Sequence, residues 1–342
     1  MEHLRVGLVG YGASGRGIHT RLLKEVGQHV TCVVTRSRGD QVKADWPRAV
    51  VVPDVAGLLS HATGLDLIVV ASPTGQHAAD VARLLDAGLP VLVDKPLAIT
   101  EQAASELVRR ATRHGGRLTV FQNRRWDREQ LTLQALLRRG ELGRVHRFER
   151  RWERFRPVPM QRWKELDPDA GGLLLDLGSH LVDSAIQLFG PVASVSAELR
   201  SITTPAIDDV FLALTHLPDP DGHQVISHLT AGALVGAPGP RTRVLGDKAA
   251  YLVTRYEEEP TPFEALDHGR GVPDHEGWLV RGAEKTPVPA VPGGHQDLYR
   301  AVIRWATEGG PAPVDPLDAV HVARVLDAAR VAATDGRAVK LA

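Results

Sequence analysis

Sulfur and aromatic residues are scarce in this chain of 342 residues, which has one cysteine, two methionines and 5% aromatics. The lone Cys32 excludes a disulfide within the chain; set in an apolar run, it reads as a small buried hydrophobe and fits a reducing compartment. Neither sign of charge is in surplus, because 41 Lys and Arg balance 41 Asp and Glu. That balance leaves no basic footprint for nucleic acid and no polybasic patch for a membrane surface. No apolar run reaches the roughly 18 residues of a membrane span, and the N-terminal residues enter a strand pattern without the leader of a signal peptide. These absences describe a cytoplasmic protein whose partners are small molecules. What remains is ordinary globular composition, 43% apolar and 24% charged, at a length that favours two domains.

Residues 4–9 form the short apolar run of a central parallel strand and end in Gly10-Tyr11-Gly12-Ala13-Ser14-Gly15. In G-x-G-x-x-G the first glycine allows a tight turn, the second admits a pyrophosphate to the backbone, and the third lets helix pack on strand. A helix pattern through Ile18, Leu22, Leu23 and Val26 follows, then a strand at 30–34, so the loop with Ala13 and Ser14 is read as a dinucleotide cradle. An acid that reads the ribose 2′-hydroxyl is expected about 20 residues beyond the loop. Thr35-Arg36-Ser37-Arg38 stands there instead, two guanidiniums and two hydroxyls suited to a 2′-phosphate, so NADP is favoured and NAD stays possible. The alternative is that Arg36 and Arg38 are merely solvated.

Further strands at 50–52, 67–71, 90–93 and 117–121, with helices between them, extend a doubly wound parallel sheet whose ligands sit at the carboxyl ends of its strands. Ser72, Pro73, Thr74 and His77 are therefore candidates on the cofactor side. A helix cap for Thr74 and solvent for His77 are the plainer readings. Asp94-Lys95-Pro96 follows the strand at 90–93 and places Lys95 over the crevice; as an isolated tripeptide it also reads as a solvated surface charge.

Past residue 122 the pattern changes. A helix near 131–137 leads into a strand at 145–155 and, past the helical segment 171–190, strands at 192–202, 210–217, 225–234 and 242–254 follow without intervening helices, which implies an α+β domain with a mostly antiparallel sheet. Residues 257–295 read as surface loops, and Asp315-Pro316 opens a last helix that Gly336 ends. The expected domains are 1–122 for the dinucleotide, 123–312 for substrate and assembly, and a C-terminal segment 313–342 packing back near the first.

Inside the second domain, Gly171 to Gly190 read as one helix puts Asp176, His180 and Asp183 on a narrow polar stripe against a face of leucines. From this segment alone three readings stay open: an active site, a hydrogen-bonded Asp-His pair in an ordinary helix, or a divalent metal site. No second His or Cys cluster stands nearby to support the metal.

The glycine loop, Asp94-Lys95-Pro96 and Gly172-(x3)-Asp176-(x)-Gly178-(x)-His180-(x2)-Asp183 together resemble the Gfo/Idh/MocA family of NAD(P)-dependent oxidoreductases, over the whole length of the chain. Asp94 replaces the glutamate of that family's Glu-Lys-Pro. Residues 43–47, 121–127 and 154–157 are similar to the branch that contains NADP-dependent scyllo-inositol dehydrogenases. The resemblance implies an N-terminal Rossmann domain, a C-terminal domain whose open sheet mediates dimer or tetramer contacts, and hydride transfer between NADP and a secondary alcohol of a polyol, inositol or sugar. It implies that Lys95 and His180 act on the substrate with Asp176 beside them. Asp183, Asn123, Arg124, Trp126, Trp152, Arg154 and Trp163 are its substrate-side candidates, and no metal is implied; the alternatives are that Asp183 braces the helix and that Arg124, Trp126, Trp152, Arg154 and Trp163 cover the cleft rim or pack in the core. Two other functions are compatible with such a chain: a dinucleotide-sensing regulator without catalysis, and a glycoside-cleaving enzyme that uses bound NAD transiently.

Overall fold

The computed structural model describes residues 3–115, 117–254 and 275–341, which divide into two compact units, Met1–Asn123 with Gly294–Ala323 and Arg124–Gly293 with Arg324–Ala342. The first is built on six parallel strands: β1 (Arg5–Val9), β2 (His29–Val34), β3 (Val50–Val52), β4 (Leu67–Val70), β5 (Val91–Val93) and β6 (Leu118–Val120). Their order is β3-β2-β1-β4-β5-β6. The strands are almost wholly apolar because both faces are covered, as parallel strands joined by helices require. Val9 lies beside Val34 and Val70, Val70 beside Val93, and Val93 beside Val120. This register brings the residues that follow β1, β2, β4, β5 and β6, namely Gly10, Thr35, Ala71, Asp94 and Phe121, to one edge of the sheet.

The helices of this unit are α1 (Thr20–Glu25), α2 (Gly39–Asp45), α3 (Val55–Leu59), α4 (Thr74–Asp86) and α5 (Glu101–Arg113). Asp54 and Thr100 cap α3 and α5 by accepting from the backbone N–H groups of Gly57 and Ala103. Cys32 is buried in β2, and burial pushes its thiol up to about 11.

The second unit carries α6 (Arg128–Arg138), β7 (Val145–Glu153), α7 (Trp163–Leu166) and α8 (Ser179–Phe189), then β8 (Val192–Arg200), β9 (Asp209–His216), β10 (Ile226–Gly232), β11 (Thr242–Gly246) and β12 (Ala250–Val253). Next come β13 (His275–Arg281) and β14 (Glu284–Pro289), and α9 (His295–Glu308) returns to the first unit. The chain finishes with α10 (Pro316–Asp335) and the two-residue β15 (Val339–Lys340). The nine strands form one mixed sheet in the order β14-β13-β12-β11-β7-β10-β9-β8-β15, antiparallel at every junction except β7 with β10.

The structure corrects three expectations. The run 242–254 is a hairpin, because the chain turns at Asp247 and Lys248 between β11 and β12. Residues 275–289, expected as loop, are β13 and β14; prolines 287 and 289 are tolerated because β14 is an edge strand. Of the rest of that expectation, residues 290–294 are loop, His295 already belongs to α9, and residues 257–274 lie outside the described residues. Finally, the helix with the polar stripe is not α-helical throughout, since it opens with a π turn at Leu174–Gly178 before α8.

Beneath α8 lies a buried charge cluster. The Arg150 guanidinium, 6% exposed, donates to Gln130 Oε1 at 2.7 Å, to Thr242 Oγ1 at 3.0 Å and to the Ser184 hydroxyl of α8, and it pairs with Glu129 at 3.3 Å. Burial alone would raise the Glu129 carboxyl, but Arg150 and Arg241, with the Thr242 hydroxyl, hold it at about 2. A carboxylate with a depressed folded-state value stabilises the fold above its unfolded value, near 4.5, and that contribution disappears as pH falls toward 2. The contribution at neutral pH is on the order of 3 kcal/mol. Urea unfolding should therefore show stability declining across that acid window, and Glu129→Ala should remove about 3–5 kcal/mol at pH 7 by leaving two guanidiniums buried without their acid. A variant as stable as the wild type would show that the cluster contributes nothing.

Candidate active site

The dinucleotide loop follows β1. Gly10 has φ +94°, and a Cβ there would lie 2.6 Å from the Ala71 carbonyl oxygen; a Cβ at Gly15 would lie 2.0 Å from the Gly10 carbonyl oxygen. At Gly12 a Cβ would meet nothing within 4 Å, so the backbone faces open space where the pattern asks for a pyrophosphate. Tight turn, open approach and close helix packing fall on the three glycines in the order the motif demands, so these residues fit a dinucleotide. Beyond Gly15 the helix begins with a π turn, Gly15–His19, that runs into α1. Thr35 leaves β2 with its N–H donating to the Val52 carbonyl, and Arg36, Ser37 and Arg38 are exposed.

Lys95 is half-buried at the end of β5, and its turn is held from three sides. Its N–H donates to Asp94 Oδ1 at 2.8 Å, and Asp94 Oδ2 accepts from the Ser14 hydroxyl of the glycine loop at 2.5 Å. The His77 ring, buried in α4, has Nδ1 at 2.8 Å from the Pro96 carbonyl and Nε2 at 2.8 Å from the Ser72 carbonyl. His77 thus ties the β4 turn to the lysine turn. The Ser72 hydroxyl donates to Asp80, while Pro73 caps α4 ahead of Thr74. Of the cofactor-side residues in these turns, Ser14, Ser72 and His77 spend their side chains on bracing. Asn123, buried after β6, has its amide nitrogen 3.3 Å from the His295 ring.

In the second unit Gly171 and Gly172 precede the π turn at positions where no side chain fits. A Cβ at Gly171 would lie 2.5 Å from the carbonyl oxygens of Lys164 and Asp167, and one at Gly172, where φ is +80°, 2.9 Å from the Ile207 backbone. Asp176 sits in that turn and accepts from Lys164 Nζ at 2.6 Å. His180 is half-buried, its ring centroid 6.0 Å from that of Trp152. Trp152 is buried on β7 with the guanidiniums of Arg241, Arg124 and Arg154 at 4.2, 4.6 and 5.7 Å from its ring. Arg124 also donates to Asp127 at 2.9 Å. Asp183 is 4% exposed and takes a bidentate pair from Arg125 at 2.6 and 2.9 Å, which is a bracing role. Trp126 is half-buried, and Trp163 opens α7 on the surface. No group of three His, Cys, Asp or Glu side chains among the described residues could hold a metal ion, and no helix among them is long and apolar enough to cross a membrane.

Sequence reasoning missed His19 and Tyr299 in the first unit and Lys164, Arg125 and Arg241 in the second. Arg125 stands inside the segment 121–127 that resembles one branch of the family, and its two adjacent arginines were a usable signal; the others had none.

A six-stranded parallel sheet of this order with a glycine loop after its first strand defines a dinucleotide-binding Rossmann unit. Residues 4–122 match the oxidoreductase family described as NAD-binding Rossmann fold, and residues 134–341 match its C-terminal alpha/beta domain. The chain belongs to the Gfo/Idh/MocA oxidoreductase family. It is similar to scyllo-inositol 2-dehydrogenase (NADP(+)) IolW of Bacillus subtilis, at 29% identity with 100% of this chain and 97% of that protein covered. It is 35% identical to the oxidoreductase YdgJ of Escherichia coli, over 95% of each. Among solved structures, yvaA from Bacillus subtilis has a TM-score of 0.84 at 29% identity, covering 100% of this chain and 99% of that one.

The open space at Gly12 gives a test of the cradle. Gly12→Val should fold with an unchanged melting temperature and bind NADPH more than about 10-fold more weakly, a cost of about 1.4 kcal/mol, in a fluorescence titration. Unaltered binding would place the nucleotide elsewhere.

Proposed function

We propose that this oxidoreductase reversibly oxidises a secondary alcohol of an inositol, polyol or sugar and uses NADP. The observation that carries the reading is the bracing of Lys95, whose turn is bonded through Asp94 to Ser14 of the glycine loop. A lysine fixed at that spacing can stabilise an alcohol oxygen as negative charge builds on it. The NADP(+)-dependent scyllo-inositol dehydrogenase among the relatives supports both substrate class and cofactor.

The nicotinamide, when bound, takes or returns the hydride, and the remaining tasks fall to the chain. His180 receives the hydroxyl proton, which an imidazole can do near neutral pH. Asp176, one turn earlier, supports the cation that forms, with Lys164 on the same carboxylate. Arg124, Trp126, Arg154 and Trp163 contact the substrate. Arg36 and Arg38, with Thr35 and Ser37, take the 2′-phosphate through charge-assisted bonds.

Removing Arg36 or Arg38 should weaken NADP binding by about 10- to 100-fold and leave NAD nearly unchanged; a wild type that prefers NAD in titration refutes the cofactor assignment. Lys95→Ala and His180→Ala should each lower turnover by about 10²-fold or more in a panel of inositols, polyols and sugars followed by nicotinamide absorbance. The double variant should lose far less than the product of the two. Wild-type oxidation should speed up as pH rises through neutrality, as the base loses its proton, and His180→Ala should lack that limb. Near-normal turnover with an unchanged profile would exclude His180 as the proton acceptor.

A further inference from the structure

His19 ends the π turn that follows the glycine loop and is completely buried. Its Nδ1 lies 2.7 Å from the Tyr299 hydroxyl of α9, its ring packs on Phe121 with centroids 4.4 Å apart, and its Nε2 faces Asp94 Oδ2 at 3.6 Å. A buried ring of this polarity costs stability unless its nitrogens are used, and a leucine would pack on Phe121 as well.

Asp94 and Tyr299 together decide how they are used. An ionised carboxylate can only accept, so a neutral His19 carries its hydrogen on the Nε2 that faces Asp94, and Nδ1 is left to accept from the Tyr299 hydroxyl, whose own ionisation burial and the charge on Asp94 raise well above the ordinary range. An imidazole that accepts at Nδ1 carries its hydrogen on Nε2, and that hydrogen points toward Asp94. At 3.6 Å the contact is longer than a hydrogen bond, and the Nε2–H acts on the carboxylate through its dipole. Burial would raise the Asp94 carboxyl, but His19 first, with Lys95 and Ser14, outweighs it and holds Asp94 well below the usual carboxylate range. The same carboxylate receives the Ser14 hydroxyl on one oxygen and the Lys95 N–H on the other.

We propose that His19 is a positioning residue for Lys95: locked by Tyr299 with its hydrogen on Nε2, it keeps Asp94 in place, and Asp94 sets the lysine turn and the glycine loop at one fixed spacing. Completely buried, His19 touches neither substrate nor cofactor and acts through Asp94 alone. The proposal rests on the reading that Lys95 serves cofactor and substrate.

Three measurements on the full-length protein test it. In a long-range proton–nitrogen spectrum with labelled histidine, the signals lost in His19→Gln should show the Nε2–H form at neutral pH, and Tyr299→Phe should mix the two forms. In NADPH fluorescence titrations, His19→Leu and Lys95→Ala should each weaken binding by about 3- to 10-fold and the double variant by no more than the worse single, because one acts through the other. With NADP and scyllo-inositol, His19→Leu should lower kcat by about 10-fold at unchanged KM, and His19→Gln, whose amide presents an N–H toward Asp94, should recover most of it. An Nδ1–H form at His19, or losses in NADPH affinity that multiply in the double variant, would overturn the proposal. The first two measurements need no alcohol substrate. A wild type inert toward scyllo-inositol therefore tells against the reaction assigned above, while the proton position and the binding cycle still decide the role of His19. If His19→Leu does not fold, Tyr299→Phe and His19→Gln carry the same comparisons.

Discussion

The first unit depends on backbone crowding at the end of β1. Gly10 turns against the Ala71 carbonyl and Gly15 packs on the Gly10 carbonyl, both at distances that only a hydrogen on Cα permits. Because the helix start sits so close, Ser14 reaches Asp94 across the carboxyl ends of β1 and β5, and His19 reaches it from below. The π turn at Gly15–His19 is part of the same arrangement, since its wider loop of backbone spends one extra residue between the glycines and α1. A bulkier residue at Gly10 or Gly15 would therefore move the lysine turn as well as the phosphate cradle.

Each unit also holds a largely buried carboxylate among polar partners, and the two are put to different use. Glu129 serves the sheet, where it neutralises Arg150 and Arg241 beneath α8. Asp94 serves the strand ends, where its partners come from the glycine loop, the π turn and the lysine turn. Buried pairs often add little net stability compared with apolar packing, but they fix spacing, because each partner tolerates few positions for the other. At Asp94 the spacing so fixed is that of the lysine turn against the glycine loop.

The fold was largely legible because the parallel strands are continuous apolar runs between glycine-rich turns, and their bounds came out within a residue or so. β13 and β14 were not legible, since prolines and charges on an edge strand mimic a loop. On β7 the strand was legible but the burial of its charges was not: Glu149 and Arg150 are neighbours on opposite faces, yet both are buried by ion pairs. The π turns were invisible because reading at 100° per residue assumes a uniform helix, whereas the widening at Leu174–Gly178 follows two glycines packed on Lys164, Asp167 and Ile207. His19 escaped notice because its partner Tyr299 is 280 residues away, and no local pattern encodes such a pair.

The solitary thiol has a practical consequence. Cys32 lies inside β2 with its ionisation pushed up to about 11, so at neutral pH it offers almost no thiolate to an electrophile. A cysteine introduced at an exposed position would then be the single reactive thiol on the molecule. Maleimide dyes or spin labels could be attached one at a time to the folded protein without first deleting the native residue.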